Sequence, residues 1–173
     1  MLGGEWKEKR MEVTFHGYSQ WKQSPRIANE STVTNLNNAL VMAAIGTGKV
    51  HLTRYFETMT GVTYSYSKIE GANSPFPFIP SLILLNGLSF HDSREDRRWE
   101  AALTGRLTSS QIRSLQTQER VAPYAIWDAS GQVKLSREAS LSARVENLAD
   151  RKVELIRGYP LGRAFSLSLI GAI

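Results

Sequence analysis

The sequence predicts an all-β chain: part of an antiparallel up-and-down transmembrane β-barrel, about eight strands with short periplasmic turns and longer extracellular loops. Two observations carry this reading. Apolar and polar residues alternate with period two through most of the 173 residues, and the links between alternating segments are short and long in turn. A third observation excludes the helical alternative. No run approaches the ~20 apolar residues that a spanning helix needs, whereas a membrane strand needs only ~9–11, every second one apolar. The longest apolar runs are 39–45 and the proline-interrupted 76–85.

Taken in order, the strands read as follows. Met11, Val13, Phe15 and Gly17 oppose Glu12, Thr14, His16 and Tyr18 over 10–20. Leu40, Met42 and Ala44 lead through Gly46 and Gly48 to Val50 and Leu52 over 39–53. Thr58 and Thr60 precede Val62, Tyr64 and Tyr66 over 56–68, and Leu82, Leu84, Leu88 and Phe90 share a face over 80–91, interrupted by Asn86. Trp99, Ala101, Leu103, Gly105 and Leu107 alternate with Glu100, Thr104, Arg106 and Thr108 over 98–109. Ala125, Trp127, Ala129, Gly131, Val133 and Leu135 alternate with Asp128, Ser130, Gln132, Lys134 and Ser136 over 121–136. Ala139, Leu141, Ala143 and Val145 mark a strand at 138–148, and Phe165, Leu167, Leu169, Gly171 and Ile173 a last one at 162–173. Successive strand side chains point to opposite faces, so each segment has an apolar and a polar side.

The links 20–38, 69–79, 110–120 and 149–161 are long, and 54–55, 92–97 and the one at Arg137 are short. Membrane barrels keep short turns on the periplasmic side and longer loops outside. A soluble Greek-key sandwich has no reason to keep this order. With the last strand ending in the periplasm, Phe56, Phe90 and Trp99 fall where an aromatic girdle belongs. Leu103, Leu107, Val133, Leu135, Leu141, Val145, Leu167 and Leu169 are then expected to face lipid, and Glu100, Arg106, Lys134, Arg144 and Glu146 the lumen.

Other chemistries find no support. The chain has no cysteine, so neither disulfides nor thiolate sites arise. Its net charge of +5 is spread without a basic helical face or stripe, so no nucleic-acid partner is expected. The stretch AAIGTGKV at 43–50 departs from a phosphate-binding loop at both ends, with Ala43 for the first glycine and Val50 for the hydroxyl residue. His16, His51 and His91 show no ligand spacing; His16 and His51 read as lumen-facing, and no metal or cofactor is expected. Ser, His and Asp occur without a nucleophile elbow, so the chain does not read as an enzyme. The start, MLGGEWKEKRM, has no apolar centre or small-residue cleavage site, which predicts that the chain begins inside a longer protein.

The segment SLSARVENLADRKVELIRGYPLGRAFSLSL at 140–169 closely resembles the C-terminus of TonB-dependent outer-membrane receptors, of the siderophore and vitamin B12 type. Arg144, Val145, Glu146, Asn147, Leu148, Asp150, Gly158, Tyr159, Pro160, Gly162, Arg163 and Phe165 carry the likeness. Upstream, Gly4-Glu5-Trp6 followed by 11–20 looks like a family strand pair. The segment GKVHL at 48–52 sits where receptors often have Gly-Val-Glu-Leu, and 77–90 looks like the next strand. The residue at 173 is Ile where the family typically ends in Phe, which implies weaker recognition by the outer-membrane barrel assembly machinery.

The resemblance implies that 1–173 is the C-terminal part of such a barrel, located in the cell outer membrane, with the signal peptide and plug domain absent. The large barrels of this class have 22 strands around a plugged lumen, so roughly two-thirds of the wall lies elsewhere. Implied partners are outer-membrane lipid, the assembly machinery, and the remaining barrel and plug. TonB is implied only through the missing N-terminal part. The implied activity of the parent is TonB-dependent uptake of a metal-siderophore or cobalamin-like chelate. The motif residues are expected to be structural: Asn147 and Asp150 end a strand and start a loop. An alternative is a small self-closed eight-stranded outer-membrane barrel with a structural or adhesion role.

Overall fold

A computed structural model describes residues 2–23, 26–28, 33–35, 38–71, 75–92, 98–115, 117–156 and 158–171. The strands, in chain order, begin with β1 (Leu2–Glu8), β2 (Met11–Lys22), β3 (Arg26–Ala28), β4 (Val33–Asn35) and β5 (Ala39–His51). There follow β6 (Phe56–Ile69), β7 (Leu82–His91), β8 (Trp99–Thr108), β9 (Gln111–Ile112) and β10 (Arg120–Val121). The last are β11 (Tyr124–Lys134), β12 (Ala139–Glu146), β13 (Val153–Ile156), β14 (Tyr159–Leu161) and β15 (Ala164–Gly171). Among the described residues there is no helix.

Nine strands form one antiparallel meander, ordered β1-β2-β5-β6-β7-β8-β11-β12-β15, without a crossover. Sequence reading counts eight, because it takes 4–6 as part of a strand pair without counting β1. The remaining six strands form three two-stranded ribbons, β3-β4, β9-β10 and β13-β14, each inside a long link. The short links 9–10, 52–55 and 135–138 lie at one end of the sheet, where β7 also ends and β8 begins; the short link read at 92–97 lies mostly outside the described residues. The sheet is not closed: β1 and β15 are its two edges.

Within the nine-stranded sheet the registers run unbroken. Thirteen consecutive residues of β5 oppose β6, from Ala39 against Ile69 to His51 against Glu57. A one-residue slip would move every apolar side chain to the polar face, so the alternation itself fixes the pairing. Leu135 lies just past β11, in the short link, where its N–H donates to the Ala139 carbonyl at 2.9 Å.

At the long-link end, Val121, Tyr124, Ile126 and Val153 are buried together, with Leu155 and Leu161 packed against them. Residues 76–78 are drawn toward the polar face. The Phe76 N–H donates to Ser67 Oγ and the Phe78 N–H to the Ile112 carbonyl, each at 2.9 Å.

Candidate functional site

Cross-strand pairs share a face, so the registers assemble two continuous surfaces. One carries Trp6, Val13, Phe15, Val62, Leu84, Leu88, Leu103, Leu107, Trp127, Val133, Leu141, Val145, Leu167 and Leu169. Most of its large side chains are exposed; Phe165, Leu167 and Leu169 are 73%, 73% and 70% accessible. Solvent-exposed apolar surface on this scale marks a surface made for lipid or a partner. Two of its threonines are hydrogen-bonded to β7: Thr60 Oγ1 donates to Asn86 Oδ1 at 3.2 Å, and Thr58 Oγ1 to the Gly87 carbonyl at 3.1 Å. The interruption at Asn86 thus has a hydrogen-bond partner on the neighbouring strand of the same face. At the short-link end of this face the rings of Phe56 and Phe90 meet with centroids 4.6 Å apart. Trp99 stands opposite Val133 two rows over.

The other face is polar and networked. Near the short links, Glu57 is buried and collects three partners from two neighbouring strands. Lys49 Nζ lies 2.8 Å from Oε2, while His51 Nδ1 and His91 Nε2 lie 2.9 and 3.2 Å from Oε1. A buried carboxylate is tolerated only with such compensation. His91 Nδ1 lies 2.9 Å from the Asp92 carbonyl. Lys7 and Glu12 pair at 2.5 Å, and Ser89 Oγ donates to Glu100 Oε1 at 2.9 Å. Among the described residues no group of three or more His, Cys, Asp or Glu is arranged to hold a metal. Of this network the sequence shows the faces of Glu12, His51 and Glu100, but none of the pairings. Glu57 and its partners meet only through register, and the signal available is that Glu57 falls opposite His51 once β5 and β6 are aligned.

Toward the long links, Arg144 spans Asp128 and Glu146, its Nη2 3.3 Å from Asp128 Oδ2 and its Nε 3.2 Å from Glu146 Oε1. These residues, with Arg106, Ile126 and Asn147, border a cavity of about 330 Å3. Glu100, Arg106, Lys134, Arg144 and Glu146 all fall on this face, by register with one another and with Ser130, Gln132 and Ser140.

The motif residues converge on the base of the 147–163 link. Asn147 is buried with a positive φ of 52°. Its N–H donates to Asp128 Oδ1 at 2.9 Å, its Oδ1 accepts the Arg151 N–H at 2.9 Å, and its Nδ2 donates to the carbonyls of Arg151 and Leu161. Leu148 donates its N–H to the Trp127 carbonyl at 2.6 Å. Asp150 Oδ1 accepts the N–H of Arg163 and meets Lys152 Nζ, each at 3.1 Å. The Lys152 ammonium and then the Arg163 N–H hold its carboxyl below the ordinary aspartate range. Gly158 has a φ of +79°, a backbone state that only glycine adopts at no steric cost. Tyr159 and Pro160 lie on β14, where Tyr159 is 75% exposed; Gly162 and Arg163 lead into β15, and Phe165 points out on the apolar face. Arg144, Glu146, Asn147, Asp150 and Arg163 are thus brought together, and Tyr159 and Phe165 are not.

No family model matches the chain, and no characterised protein matches it in sequence. Solved structures do match in fold. The copper transporter OprC superposes with a TM-score of 0.79 at 21% identity, over 99% of this chain and 30% of that one. The fold is the barrel wall of TonB-dependent receptors. The ferric yersiniabactin uptake receptor FyuA from Yersinia pestis matches at TM-score 0.68 and 14% identity, over 98% of this chain and 28% of that one. The FrpB iron transporter from Neisseria meningitidis matches at 0.70 and 11%, over 98% and 29%. The chain thus spans less than a third of the length of each. These neighbours are outer-membrane receptors and transporters for copper and for siderophores or iron; none is a vitamin B12 receptor. In outer-membrane barrels generally, an apolar outer face meets lipid and a polar inner face lines the lumen.

Proposed function

We propose that this chain is part of the wall of an outer-membrane receptor that takes up a metal ion or metal-siderophore in a TonB-dependent manner. The observation that carries the reading is the largely apolar face, in register across nine strands, backed by a charged and hydrogen-bonded face. That division suits a sheet with lipid on one side and a polar interior on the other. The role of the wall is to enclose and support: its inner charges are satisfied by one another, as at Glu57 and Arg144, and its long links carry the ribbons that would meet the outside. Its expected surroundings are outer-membrane lipid, the rest of the barrel with its plug, and TonB acting through that plug. The motif residues Asn147, Asp150, Gly158 and Arg163 serve this role by fixing the base of one outer loop.

The test is a chimera in which this chain replaces the region of OprC that it matches. Expected is fractionation with the outer membrane and energy-dependent copper uptake. A chimera that is expressed but partitions with soluble protein contradicts the reading.

A further inference from the structure

We propose that the cavity between the β9-β10 and β13-β14 ribbons is a binding site for a phosphoryl group carried by a water-borne solute.

The two ribbons share a floor and a brace. Val121 and Tyr124 from one side and Val153 from the other are buried in a single apolar cluster. Arg113 spans the ribbons: its Nη2 donates to Glu119 Oε1, and its Nη1 donates to the Glu154 carbonyl at 3.3 Å. Between them lies a cavity of about 240 Å3, bordered by Arg113, Arg120, Tyr124, Arg151, Lys152 and Glu154. Four cations thus surround one space, with a single carboxylate among them.

Two of the four are already engaged. Arg113 is held by Glu119 and Glu154, and Lys152 Nζ lies 3.1 Å from Asp150 Oδ1. The guanidinium groups of Arg120 and Arg151 have no hydrogen bond or ion pair among the described residues. Both are nevertheless fixed at the backbone. Arg120 opposes the buried Ile112 and precedes the buried Val121. Arg151 has its N–H and its carbonyl both bound by the Asn147 carboxamide. Like charges held around one space repel, and an anion between them relieves that repulsion without any ordering of the loops.

The donors select the kind of anion. A guanidinium is charged at every physiological pH and offers a fork of N–H groups. One such fork satisfies a planar carboxylate with two parallel bonds. A phosphoryl group presents three acceptor oxygens in different directions, so it suits guanidinium groups that arrive from two ribbons. Tyr124 adds a further donor: it is buried, it borders the cavity, and its hydroxyl makes no hydrogen bond among the described residues. The volume lies below the ~300–1,000 Å3 of pockets that enclose whole small molecules, which fits a charged group rather than an entire chelate. On β11, Tyr124 and Ile126 alternate with Trp127, a member of the apolar face, so the cavity borders the polar face and opens away from lipid.

The test uses the full chain refolded in a maltoside detergent, with inorganic phosphate as the probe. Calorimetry at constant ionic strength is expected to show saturable one-to-one binding, and acetate is expected to bind more weakly. Arg120→Gln and Arg151→Gln should each weaken phosphate binding about tenfold. Arg10→Gln/Arg137→Gln, in two short links at the far end of the sheet, removes as much charge as the Arg120→Gln/Arg151→Gln pair and should leave binding unchanged. A second measurement needs no variant. In the wild-type chain, phosphate should shield Arg120 and Arg151, but not Arg10 and Arg137, from an arginine-specific dicarbonyl reagent. Non-saturable binding, equal loss in the far pair, acetate binding as tight as phosphate, or no shielding each overturns the site. The source is tested in phosphatidylcholine vesicles, where added phosphatidic acid is expected not to compete with inorganic phosphate. Shielding of Arg120 and Arg151 by phosphatidic acid overturns the water-borne source.

Discussion

Asn147 and Arg151 hold each other twice: the Asn147 carboxamide accepts the Arg151 N–H and donates to the Arg151 carbonyl, both at 2.9 Å. The same Asn147 is buried, sits at positive φ, and donates its own N–H to Asp128 Oδ1. One side chain therefore closes the base of the loop and ties it to β11.

Replacing it by Ala leaves the Arg151 N–H and the Arg151 and Leu161 carbonyls without this partner and puts Ala at a left-handed φ that Asn tolerates better. Asn147→Ala is expected to lower stability by about 2 kcal/mol. Denaturant titration of the refolded chain in detergent measures this. A loss no larger than that of an exposed control such as Ser168→Ala contradicts the role given to Asn147.

Gly158 and Gly162 both belong to the motif, but their backbones differ. Only Gly158 has positive φ, and neither has an atom within 4 Å of an added Cβ. Gly158→Ala is expected to cost about 1 kcal/mol through backbone strain, and Gly162→Ala close to nothing. Equal effects in the same titration would show that strain does not set the requirement for glycine.

Asp150 supplies a pH dependence. Its carboxyl is held below the ordinary range by Lys152 and by the Arg163 N–H. The contact is therefore at full strength above the unfolded aspartate value of about 4, and is lost as pH falls through the lower folded value. Hydrogen exchange in 147–163 is expected to show looser protection below that range. Asp150→Asn should be loose already at neutral pH and respond less to acid. An unchanged pH response in Asp150→Asn assigns the effect elsewhere.

Glu57 anchors the short-link end. Glu57→Leu leaves Lys49, His51 and His91 facing an apolar group, and is expected to cost about 3 kcal/mol, as for breaking a buried ion pair. Thermal unfolding in detergent measures it, with Lys7→Leu as the exposed-pair control expected to change little.

The fold was legible because period two is a local property: the eight strands read from sequence end within a few residues of β2, β5, β6, β7, β8, β11, β12 and β15. β1 is obscured by Gly3, Gly4 and the charges of Glu5, Lys7 and Glu8, which dilute its alternation. The ribbons in the long links have two to four residues per strand, too few to show a period. Leu135 fits the alternation of β11 but belongs to the turn, because the Ala139 carbonyl takes its N–H. At the loop base the residues were legible as a motif, while their partners were not. Asp128 reaches Asn147 only because β11 and β12 are adjacent, a relationship 19 residues apart in sequence.

The central claim is that one face of this sheet meets lipid and the other meets water. Nitroxides placed singly at Leu103, Leu141 and Leu167, and at Arg106, Gln132 and Arg144, test it directly in reconstituted vesicles. Expected is strong relaxation of the first set by oxygen and of the second by a water-soluble nickel chelate, with Leu141→Arg costing about 2–4 kcal/mol near the bilayer midplane. Equal response of the two sets to both relaxers would contradict the claim.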